Sequence, residues 1–323
     1  MNTAGKIENK RILIIGGAGF IGTSLATRLV ANNKIIIYDN LHRNALKNTD
    51  LKDHPNILLI QGDILDSKKL KKSLKEADIL IHMAAIAGID TVIKNPVTTM
   101  KVNIVGTYNV LEASLAINNI ERFLYFSTSE VFGTYSYKLE ESDSTNLQPV
   151  GEARWVYATS KLAGEHLVYS YQKEYRLPTI SIRPFNIYGP GQVGEGAIHS
   201  FIVRAINDKP LEIHGDGDQI RSWCYIDDMV DAILLCLTKD EAIGEVFNIG
   251  NPRGTITILN LAEKIIQLGN SKSKIIHVPK NYVDVELRIP NIEKAKKLLG
   301  FEPKVGLDEG IKRTIEWYRR NRR

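Results

Sequence analysis

The sequence predicts an α/β fold, with a doubly wound parallel sheet followed by a smaller α/β region. Short runs of aliphatic and β-branched residues alternate with longer helical patterns through the first half of the chain. This alternation is typical of βαβ units joined by right-handed crossovers. The strand-like runs are continuously apolar, which indicates a sheet covered by helices on both faces.

Six apolar runs predict the main strands of this sheet, in chain order at residues 11–17, 34–39, 56–63, 77–85, 122–128 and 179–185. Helical patterns lie between several of these runs. The clearest of them cover residues 19–33, Pro96 to Asn118, and 156–175. Strands and helices therefore alternate as a doubly wound sheet requires.

The sequence changes character after Asn186, where NIYGPGQVGEGA is too rich in glycine for a helix interior. Shorter elements follow, with strands in LEIHG, RSWCYI and VFNIG and helices near 198–207, 227–237, 257–268, 291–299 and 307–320. We predict a first domain over residues 1–185, joined by strands from residues 222–250, and a second region over residues 186–323.

Composition excludes several classes of protein. The 323 residues are 43% hydrophobic and 24% charged, and the net charge is +5, as expected for a globular chain with no nucleic-acid-binding patch. Two cysteines without a CxxC pair or a His/Cys cluster argue against a zinc site and favour a reducing compartment. Neither a signal-peptide pattern nor an apolar run of ~20 residues is present in the sequence. We expect a cytoplasmic protein without a metal or a membrane partner.

A glycine-rich turn predicts a dinucleotide site. GGAGFIG places Gly16, Gly19 and Gly22 between the first predicted strand and the first predicted helix, where glycine lets the backbone approach a pyrophosphate. Asp39 ends the second strand, and an acid there binds the ribose 2′-OH and repels a 2′-phosphate. We predict NAD, while the neighbouring Arg43 leaves NADP as an alternative.

Two further strand ends support a cofactor site, although loop polarity and helix packing also explain them. Asp63 ends the third strand, and the small residues Ala84 and Ala85 follow the fourth, where bulk would collide with a cofactor. The remaining expected cofactor contacts are Phe20, Ile21, Asn40, Ile64, Asn103 and Ser127.

Tyr157 and Lys161 lie four residues apart in WVYATSKLAGEH, which puts both on one helix face. A tyrosine with its ordinary pKa of ~10 is a poor base, but a nearby ammonium and a positive nicotinamide ring lower that pKa. Tyr157 then accepts an alcohol proton as a hydride leaves the carbon, while Lys161 also holds the nicotinamide ribose. Such a pair alone is usually a surface feature, and the glycine turn and Asp39 favour the catalytic interpretation.

Motifs along nearly the whole chain resemble the extended short-chain dehydrogenase/reductase family, in its nucleotide-sugar-modifying branch. They are ILIIGGAGFIG, FSTSEVFG, YATSK, IRPFNIYGPGQ, GDGDQIRSWCYIDD, NIGNP and LRIPNIEKAKKLLGF. The resemblance implies a Rossmann-type NAD domain, a nucleotide-sugar-binding region after it, and oxidation of the sugar at C4. It also implies a tightly bound NAD, a UDP-sugar as the favoured substrate, and a homodimer.

Within this resemblance, Thr128-Ser129-Glu130 is similar to the T-S-E or T-D-E arrangement of dehydratases and UDP-glucuronate decarboxylases, whereas similar 4-epimerases have no acid there. It implies that Thr128 hydrogen-bonds the sugar O4. Glu130 is expected to deprotonate C5, protonate a leaving group or steer a carboxylate. Dehydratases of the dTDP-glucose type carry aspartate in place of Ser129, but GDP-mannose dehydratases use T-S-E, so dehydration stays open.

The resemblance implies that Asn186, Arg221 and Arg288 bind the substrate. Asn186 is expected on the phosphates or the sugar, and the arginines on the pyrophosphate, with a C6 carboxylate as an alternative for Arg221. RWVYATSK, NIGNP and LRIPNIEKAKKLLG favour a UDP-glucuronate decarboxylase, although Ile-Pro-Asn after Arg288 departs from the decarboxylase pattern. The alternatives are a 4,6-dehydratase, a UDP-sugar 4-epimerase and a non-catalytic NAD-binding sensor.

Overall fold

The computed structural model describes residues 6–74, 77–117, 120–280 and 282–321. The strands in these residues are β1 (Arg11–Ile15), β2 (Lys34–Asp39), β3 (Ile57–Gln61), β4 (Ile79–His82), β5 (Arg122–Phe126), β6 (Tyr135–Tyr137), β7 (Thr179–Pro184), β8 (Ile187–Tyr188), β9 (Leu211–His214), β10 (Ile220–Ser222), β11 (Cys224–Tyr225), β12 (Val246–Ile249), β13 (Thr255–Thr257), β14 (Ile275–Val278) and β15 (Leu287–Ile289).

The α-helices in the same residues are α1 (Phe20–Leu29), α2 (Ser67–Ser73), α3 (Ile89–Lys94), α4 (Pro96–Met100), α5 (Gly106–Ser114), α6 (Ala153–Tyr175), α7 (Ala197–Ala205), α8 (Ile226–Thr238), α9 (Ile258–Leu268), α10 (Glu293–Leu299) and α11 (Leu307–Arg320). None of these helices has the length and apolar character needed to cross a membrane.

Seven parallel strands form the central sheet, in the order β3-β2-β1-β4-β5-β7-β12. The predicted doubly wound parallel sheet is therefore confirmed. The strand order reverses direction between β1 and β4, and ligands of such sheets bind in the crevice beyond the carboxyl ends of the strands at that point.

Both faces of the sheet are buried, which explains the continuously apolar strands. Ile12 and Ile14 of β1 pack in one core cluster with residues of α1 and α8, while Leu13 and Ile15 pack in a second with residues of α2, α5 and α6. Alternate residues of one strand thus need apolar side chains for different layers.

Two predicted elements are divided in the structure. The helix expected from Pro96 to Asn118 consists of α4, a π-helical turn at Lys101–Val105 and α5, and its end at residues 118–119 lies outside the described residues. The π turn contains Asn103, which is hydrogen-bonded to two other segments. The strand expected in RSWCYI is split at Trp223, because β10 pairs with β13 and β15 whereas β11 pairs with β8.

The second region contributes a four-stranded sheet in the order β13-β10-β15-β6 and the pair β14-β9. Of the strands between residues 222 and 250, β12 joins the central sheet beside β7 and β11 pairs with β8. The small sheet includes β6, which comes from the first predicted domain, so residues 135–137 and 287–289 of the two predicted domains are hydrogen-bonded in one sheet.

Candidate active site

A cleft of about 340 Å³ lies at the carboxyl ends of the central strands, where the strand order reverses. Its walls come from the glycine turn, the ends of β4 and β5, helix α6 and the loop after β8. Predicted site residues that line it are Gly16, Gly19, Phe20, Ile21, Gly22, Ala85, Ser127, Thr128, Tyr157 and Lys161. Arg43 after β2 and Pro184 at the end of β7 also line the cleft, so distant stretches of sequence meet there.

The glycine turn is shaped for close backbone approach. Gly16 has a φ of +82°, and a Cβ atom there would lie 2.6 Å from the backbone nitrogen of Ala84. Gly19 is the N-cap of α1 and has no side chain to accept a hydrogen bond from the first backbone N–H groups of this helix. Since these N–H groups begin a helix that lines the cleft, they are suited to bind a diphosphate.

Asp39 is buried beside this turn. Its Oδ2 accepts a hydrogen bond from the backbone of Ala18 at 3.0 Å, and its Oδ1 accepts one from Leu41 at 2.7 Å. Burial raises the pKa of Asp39, and these two backbone donors oppose that rise. Carboxylate oxygens accept more than one hydrogen bond, so the fixed carboxylate can also accept from ribose hydroxyls.

Among the other residues expected to contact the cofactor, Asn40 and Asp63 form local turns. The Asn40 Oδ1 accepts from the backbone of His42 at 3.0 Å, and the Asp63 Oδ1 accepts from that of Leu65 at 2.9 Å. Ile64 is buried against the apolar cluster that contains Leu13. Direct contact of these residues with a cofactor stays a prediction.

Asn103 joins three segments of the chain. Its Oδ1 accepts from the backbone N–H of Ile86 at 2.8 Å, and its Nδ2 donates to the Ile86 carbonyl and to the hydroxyl of Ser160. Both amide protons are therefore occupied within the protein. This arrangement fixes the loop that follows β4, and with it Ala84 and Ala85, against α6.

Two buried polar atoms near the cleft lack a partner among the described residues, the Ser127 hydroxyl and the His82 Nδ1. Ser127 lines the cleft. Burial and, to a smaller extent, the charge of Lys161 lower the pKa of His82 to about 3, so this imidazole is neutral. Free polar groups, an uncapped helix end and a fixed Asp39 together fit a bound dinucleotide.

Tyr157 and Lys161 both lie on α6 and line the cleft, as predicted. Lys161 is only 2% exposed, and its Nζ lies 4.3 Å from the ring centroid of Tyr125. Burial lowers the pKa of Lys161 to about 7, against the opposing charge of Glu165.

The sequence predicts a lowered pKa for Tyr157, whereas the protein alone raises it. Burial is the main cause and the charge of Glu130 adds to it, while a hydrogen bond with Thr128 and the charge of Arg288 oppose the rise. Lowering this pKa therefore requires a further positive charge beside the phenol, such as an oxidised nicotinamide.

The hydroxyl-rich end of β5 forms a capped turn. Thr128 has an extended backbone, and its Oγ1 accepts from the backbone N–H of Glu130 at 3.2 Å at the start of a 3₁₀ turn over Ser129–Phe132. Thr128 also faces Tyr157 and lowers the pKa of its phenol. The turn thus places Thr128 and Glu130 on the same side as Tyr157, and Ser129 is buried within it.

Glu130 belongs to a cluster of five charged side chains, called the charged ring below, in which Arg154, Arg221 and Arg288 are buried and Glu130 and Asp284 are partly buried. The Glu130 Oε1 is 3.0 Å from Arg154 Nη2 and 3.4 Å from Arg288 Nη1. The Asp284 Oδ1 is 2.9 Å from Arg154 Nη1 and 3.3 Å from Arg221 Nη2. Arg221 and Arg288 are register partners on β10 and β15. Three guanidinium groups and two carboxylates leave one net positive charge.

The charged ring keeps Glu130 ionised and leaves donors free. Burial raises the pKa of Glu130, but Arg154 and Arg288 outweigh burial and hold the pKa below its ordinary value. Burial lowers the pKa of Arg288 to about 10, so it stays charged at neutral pH. Nε and Nη2 of Arg288 and Nε of Arg154 are buried and have no hydrogen-bond partner among the residues that the structure describes. Such N–H groups fit an anionic ligand.

The structure brings Arg221 and Arg288 together as predicted and adds Arg154 and Asp284, which the sequence analysis did not include among the site residues. Arg154 lies three residues before Tyr157 on α6, a spacing that puts both on one helix face and that signals its role. Asp284 has no comparable sequence signal.

Asn186 has a φ of +41°, and its Nδ2 donates to the carbonyl of Ser222 at 2.9 Å. It therefore ties the start of β8 to the end of β10. Among the described residues, no group of three or more His, Cys, Asp or Glu side chains could hold a metal ion.

Residues 12–250 match the model of the NAD dependent epimerase/dehydratase family. The chain is 35% identical to a UDP-N-acetyl-alpha-D-glucosaminuronate decarboxylase of Bacillus cytotoxicus, over 96% of this chain and 98% of that protein. It is 37% identical to a dTDP-D-glucose 4,6-dehydratase of Bos taurus, over 99% of this chain and 94% of that protein. A solved UDP-glucuronic acid 4-epimerase of Bacillus cereus, in complex with UDP-glucuronic acid and NAD, aligns with a TM-score of 0.87 and 31% identity, over 96% of this chain and 99% of that one.

Proposed function

The chain belongs to the NAD-dependent epimerase/dehydratase family and uses NAD, and we propose that it decarboxylates a UDP-hexuronate, with UDP-glucuronate as the first candidate. The family resemblance and the cofactor predicted from the sequence are both confirmed. The observation that most supports decarboxylation is the charged ring beside Tyr157, with its net positive charge and unpartnered arginine N–H groups. A sugar carboxylate is the anion that such a site would hold next to the reacting carbon.

NAD, when bound, would supply the acceptor for the hydride from C4 of the sugar. Tyr157 takes the proton of the 4-hydroxyl as C4 becomes a ketone, and Thr128, which faces the same phenol, is placed to contact the same oxygen. Lys161 would hold the nicotinamide ribose, and its charge would stabilise the phenolate.

The 4-keto group makes the C5 carboxylate a β-keto acid. The C5–C6 bond then breaks, its electron pair moves onto C5 and the C4 oxygen, and carbon dioxide leaves. Ionised Glu130 repels the C5 carboxylate of the sugar, because two negative charges then lie close together. The loss of neutral carbon dioxide removes the sugar carboxylate and relieves this repulsion. C5 takes a proton from solvent in place of the lost carboxylate, and Tyr157 gives its proton back to the C4 oxygen as the ketone is reduced.

Dehydration is the second candidate, because ionised Glu130 is also suited to remove the C5 proton. Elimination additionally requires an acid that protonates the departing 6-hydroxyl, and the neighbouring residue is Ser129 rather than an aspartate. A UDP-hexuronate 4-epimerase would use the same arginine donors but would retain the carboxylate.

The test is mass spectrometry of the nucleotide sugar after incubation of the purified chain with NAD and UDP-glucuronate, in parallel with UDP-N-acetylglucosaminuronate, UDP-glucose and dTDP-glucose. Loss of carbon dioxide supports the proposal. An isomer of unchanged mass would establish a 4-epimerase, and loss of water from a neutral hexose a dehydratase. If NAD is retained and every nucleotide sugar is unchanged, the chain is a non-catalytic NAD-binding protein.

Glu130→Gln is expected to retain C4 oxidation and to lose the later step. Glu140→Gln, at an exposed acid of the following segment, is the matched control. If Glu130→Gln forms product as fast as the unchanged chain, Glu130 has no role in the reaction.

A further inference from the structure

Arg154 occupies a special position in the charged ring, because it is the member that contacts both acids. Its Nη2 lies 3.0 Å from Glu130 and its Nη1 lies 2.9 Å from Asp284, and the side chain is 7% exposed. Arg288 and Arg221 each contact one of these acids. The two arginines on the small sheet are thus linked to α6 through Arg154.

This link has a consequence for geometry. Arg154 and Tyr157 lie within one helical turn of α6, while Arg288 and Arg221 lie on β15 and β10. Glu130 sits between these elements in the 3₁₀ turn after β5. Because a helix is stiff over one turn, Arg154 fixes Glu130 relative to Tyr157 rather than only relative to the small sheet.

We propose that Arg154 is a positioning residue that holds Glu130 beside Tyr157 and so permits the step that follows C4 oxidation. This inference rests on the proposed function, in which Glu130 acts after the ketone has formed. Without Arg154, Glu130 would contact a single arginine, Arg288, whose Nη1 lies 3.4 Å from the Glu130 Oε1.

The charged and titratable groups that face Glu130 make the expected pH effect specific. They are Arg154 and Tyr157 on α6, Arg288 on β15, Asp284 in the preceding segment and Arg221 on β10. Burial and Asp284 raise the pKa of Glu130, and Arg154 is the larger of the two charges that lower it. Its removal therefore raises that pKa.

The test compares Arg154→Met and Arg154→Lys with the unchanged chain. For Arg154→Met at saturating nucleotide sugar we expect the amount of product formed per NADH formed to fall on the order of 10- to 100-fold, and the acid limb of the product-forming step to move to higher pH. Arg154→Lys should recover part of both effects. Equal loss of NADH and product formation, or an unmoved acid limb, would overturn the proposal.

Isotope-edited infrared spectroscopy of Glu130, assigned with Glu130→Gln, tests the inference without any substrate. The carboxylic-acid band should appear at higher pH in Arg154→Met than in the unchanged chain. Arg183→Met is the matched control, because it breaks another buried ion pair of α6, with Glu165, and should not move this band. A moved band without carbon dioxide release would reject the proposed reaction while retaining the positioning role.

A second inference rests on separate contacts, across the mouth of the cofactor cleft. Arg43 and Glu195 both line the cleft and lie 3.4 Å apart. The Arg43 Nη2 also donates to the carbonyl of Ala87 at 2.8 Å. Glu195 accepts from the Thr91 hydroxyl at 2.9 Å and from the backbone N–H of Asp90 at 3.1 Å. Three loops, after β2, β4 and β8, are joined by these contacts.

Two glycines allow this close approach. Gly88 has a φ of +100°, and a Cβ atom there would lie 2.6 Å from the Glu195 carboxyl carbon. A Cβ atom at Gly194, with a φ of +86°, would lie 2.9 Å from the Arg43 guanidinium carbon. Arg43 and Glu195 are each 33% exposed, so the pair is accessible to water and free to open. We infer that this pair retains NAD in the cleft between turnovers.

The measurement is the dissociation rate of NADH, followed by its fluorescence after addition of excess NAD. Arg43→Met, Glu195→Gln and the double variant should each release NADH ~3- to 10-fold faster, with no further gain in the double variant. Arg204→Met, which breaks an ion pair of similar exposure with Glu212, is the control. Additive effects, or an effect of Arg43→Met alone, would show direct contact with the cofactor instead and overturn the inference.

Discussion

Lys161 is buried at the floor of the cleft with its ammonium against the ring of Tyr125. Its pKa is lowered to about 7, mainly by burial, so the folded chain binds this proton less tightly than the unfolded chain. Between pH 7 and the ordinary lysine pKa of ~10.4 the unfolded chain holds more protons, and stability rises with pH across that window.

Lys161→Met should therefore be more stable than the unchanged chain at pH 7. The advantage should shrink as the pH rises toward ~10, each unit of pKa displacement being worth ~1.4 kcal/mol. Thermal unfolding from pH 6 to 10 without NAD measures it, with exposed Lys173→Met on the same helix as control. A pH-independent difference would contradict the assigned titration.

Tyr157 is the other residue whose chemistry depends on burial. Tyr157→Phe should slow C4 oxidation by ~10²- to 10⁴-fold, because phenylalanine has no hydroxyl to take the proton of the sugar 4-hydroxyl. NAD affinity should be unchanged, measured by calorimetric titration beside single-turnover NADH formation. Tyr169→Phe, at an exposed tyrosine of α6, is the control. Equal turnover by Tyr157→Phe and the unchanged chain would show that Tyr157 is not the base.

At the scale of elements, the packing of α6 on β5 sets the site. Gly164 faces the phenol oxygen of Tyr125, and a Cβ atom at Gly164 would overlap that oxygen. The same Tyr125 hydroxyl donates to the Lys161 carbonyl at 3.2 Å. This close contact brings Tyr157 and Lys161 to the end of the strand that carries Ser127 and Thr128.

Gly164→Ala should destabilise the fold by ~1–3 kcal/mol, because the added methyl group forces α6 away from β5. Urea unfolding monitored by tryptophan fluorescence measures the change. Adding Tyr125→Phe should restore part of the loss, since it removes the overlapping oxygen. If Gly164→Ala is as stable as the parent, or Tyr125→Phe brings no recovery, the close contact does not govern this packing.

At the scale of the whole molecule, exposed apolar side chains gather on the helices between β4 and β7. They are Ile93, Val97, Val105, Tyr108, Leu115, Tyr169 and Tyr175. Exposed apolar surface on neighbouring helices is typical of a protein interface, and the sequence predicts a homodimer.

We expect a homodimer through this surface. Light scattering should give twice the chain mass of 36.2 kDa, and the double variant Val97→Glu/Tyr108→Arg should give the single mass, because two buried charges oppose association. Tyr135→Arg, at an exposed tyrosine of β6, should stay dimeric. A monomeric parent chain would contradict the predicted homodimer. A dimeric double variant would show that the interface lies elsewhere.

Short-range patterns in the sequence predicted the central sheet and several residues of the cleft. Continuous apolar runs indicated the central sheet, and glycine spacing indicated the turn at Gly16. The spacing of Tyr157 and Lys161 placed both in the cleft. These features depend on residues close together in the chain, whose periodicity and backbone preferences are readable directly.

The sequence by itself thus determined the fold class, the family, NAD and the Tyr157–Lys161 pair. Only the tertiary structure decided that Arg154 joins Glu130 to Asp284, that a π turn interrupts the predicted long helix, and that Arg43 meets Glu195 across the cleft. Asp284 lies far from Arg154 in the chain, and their contact depends on how the small sheet seats against α6. Such packing depends on surfaces from distant segments at once, which no local spacing encodes.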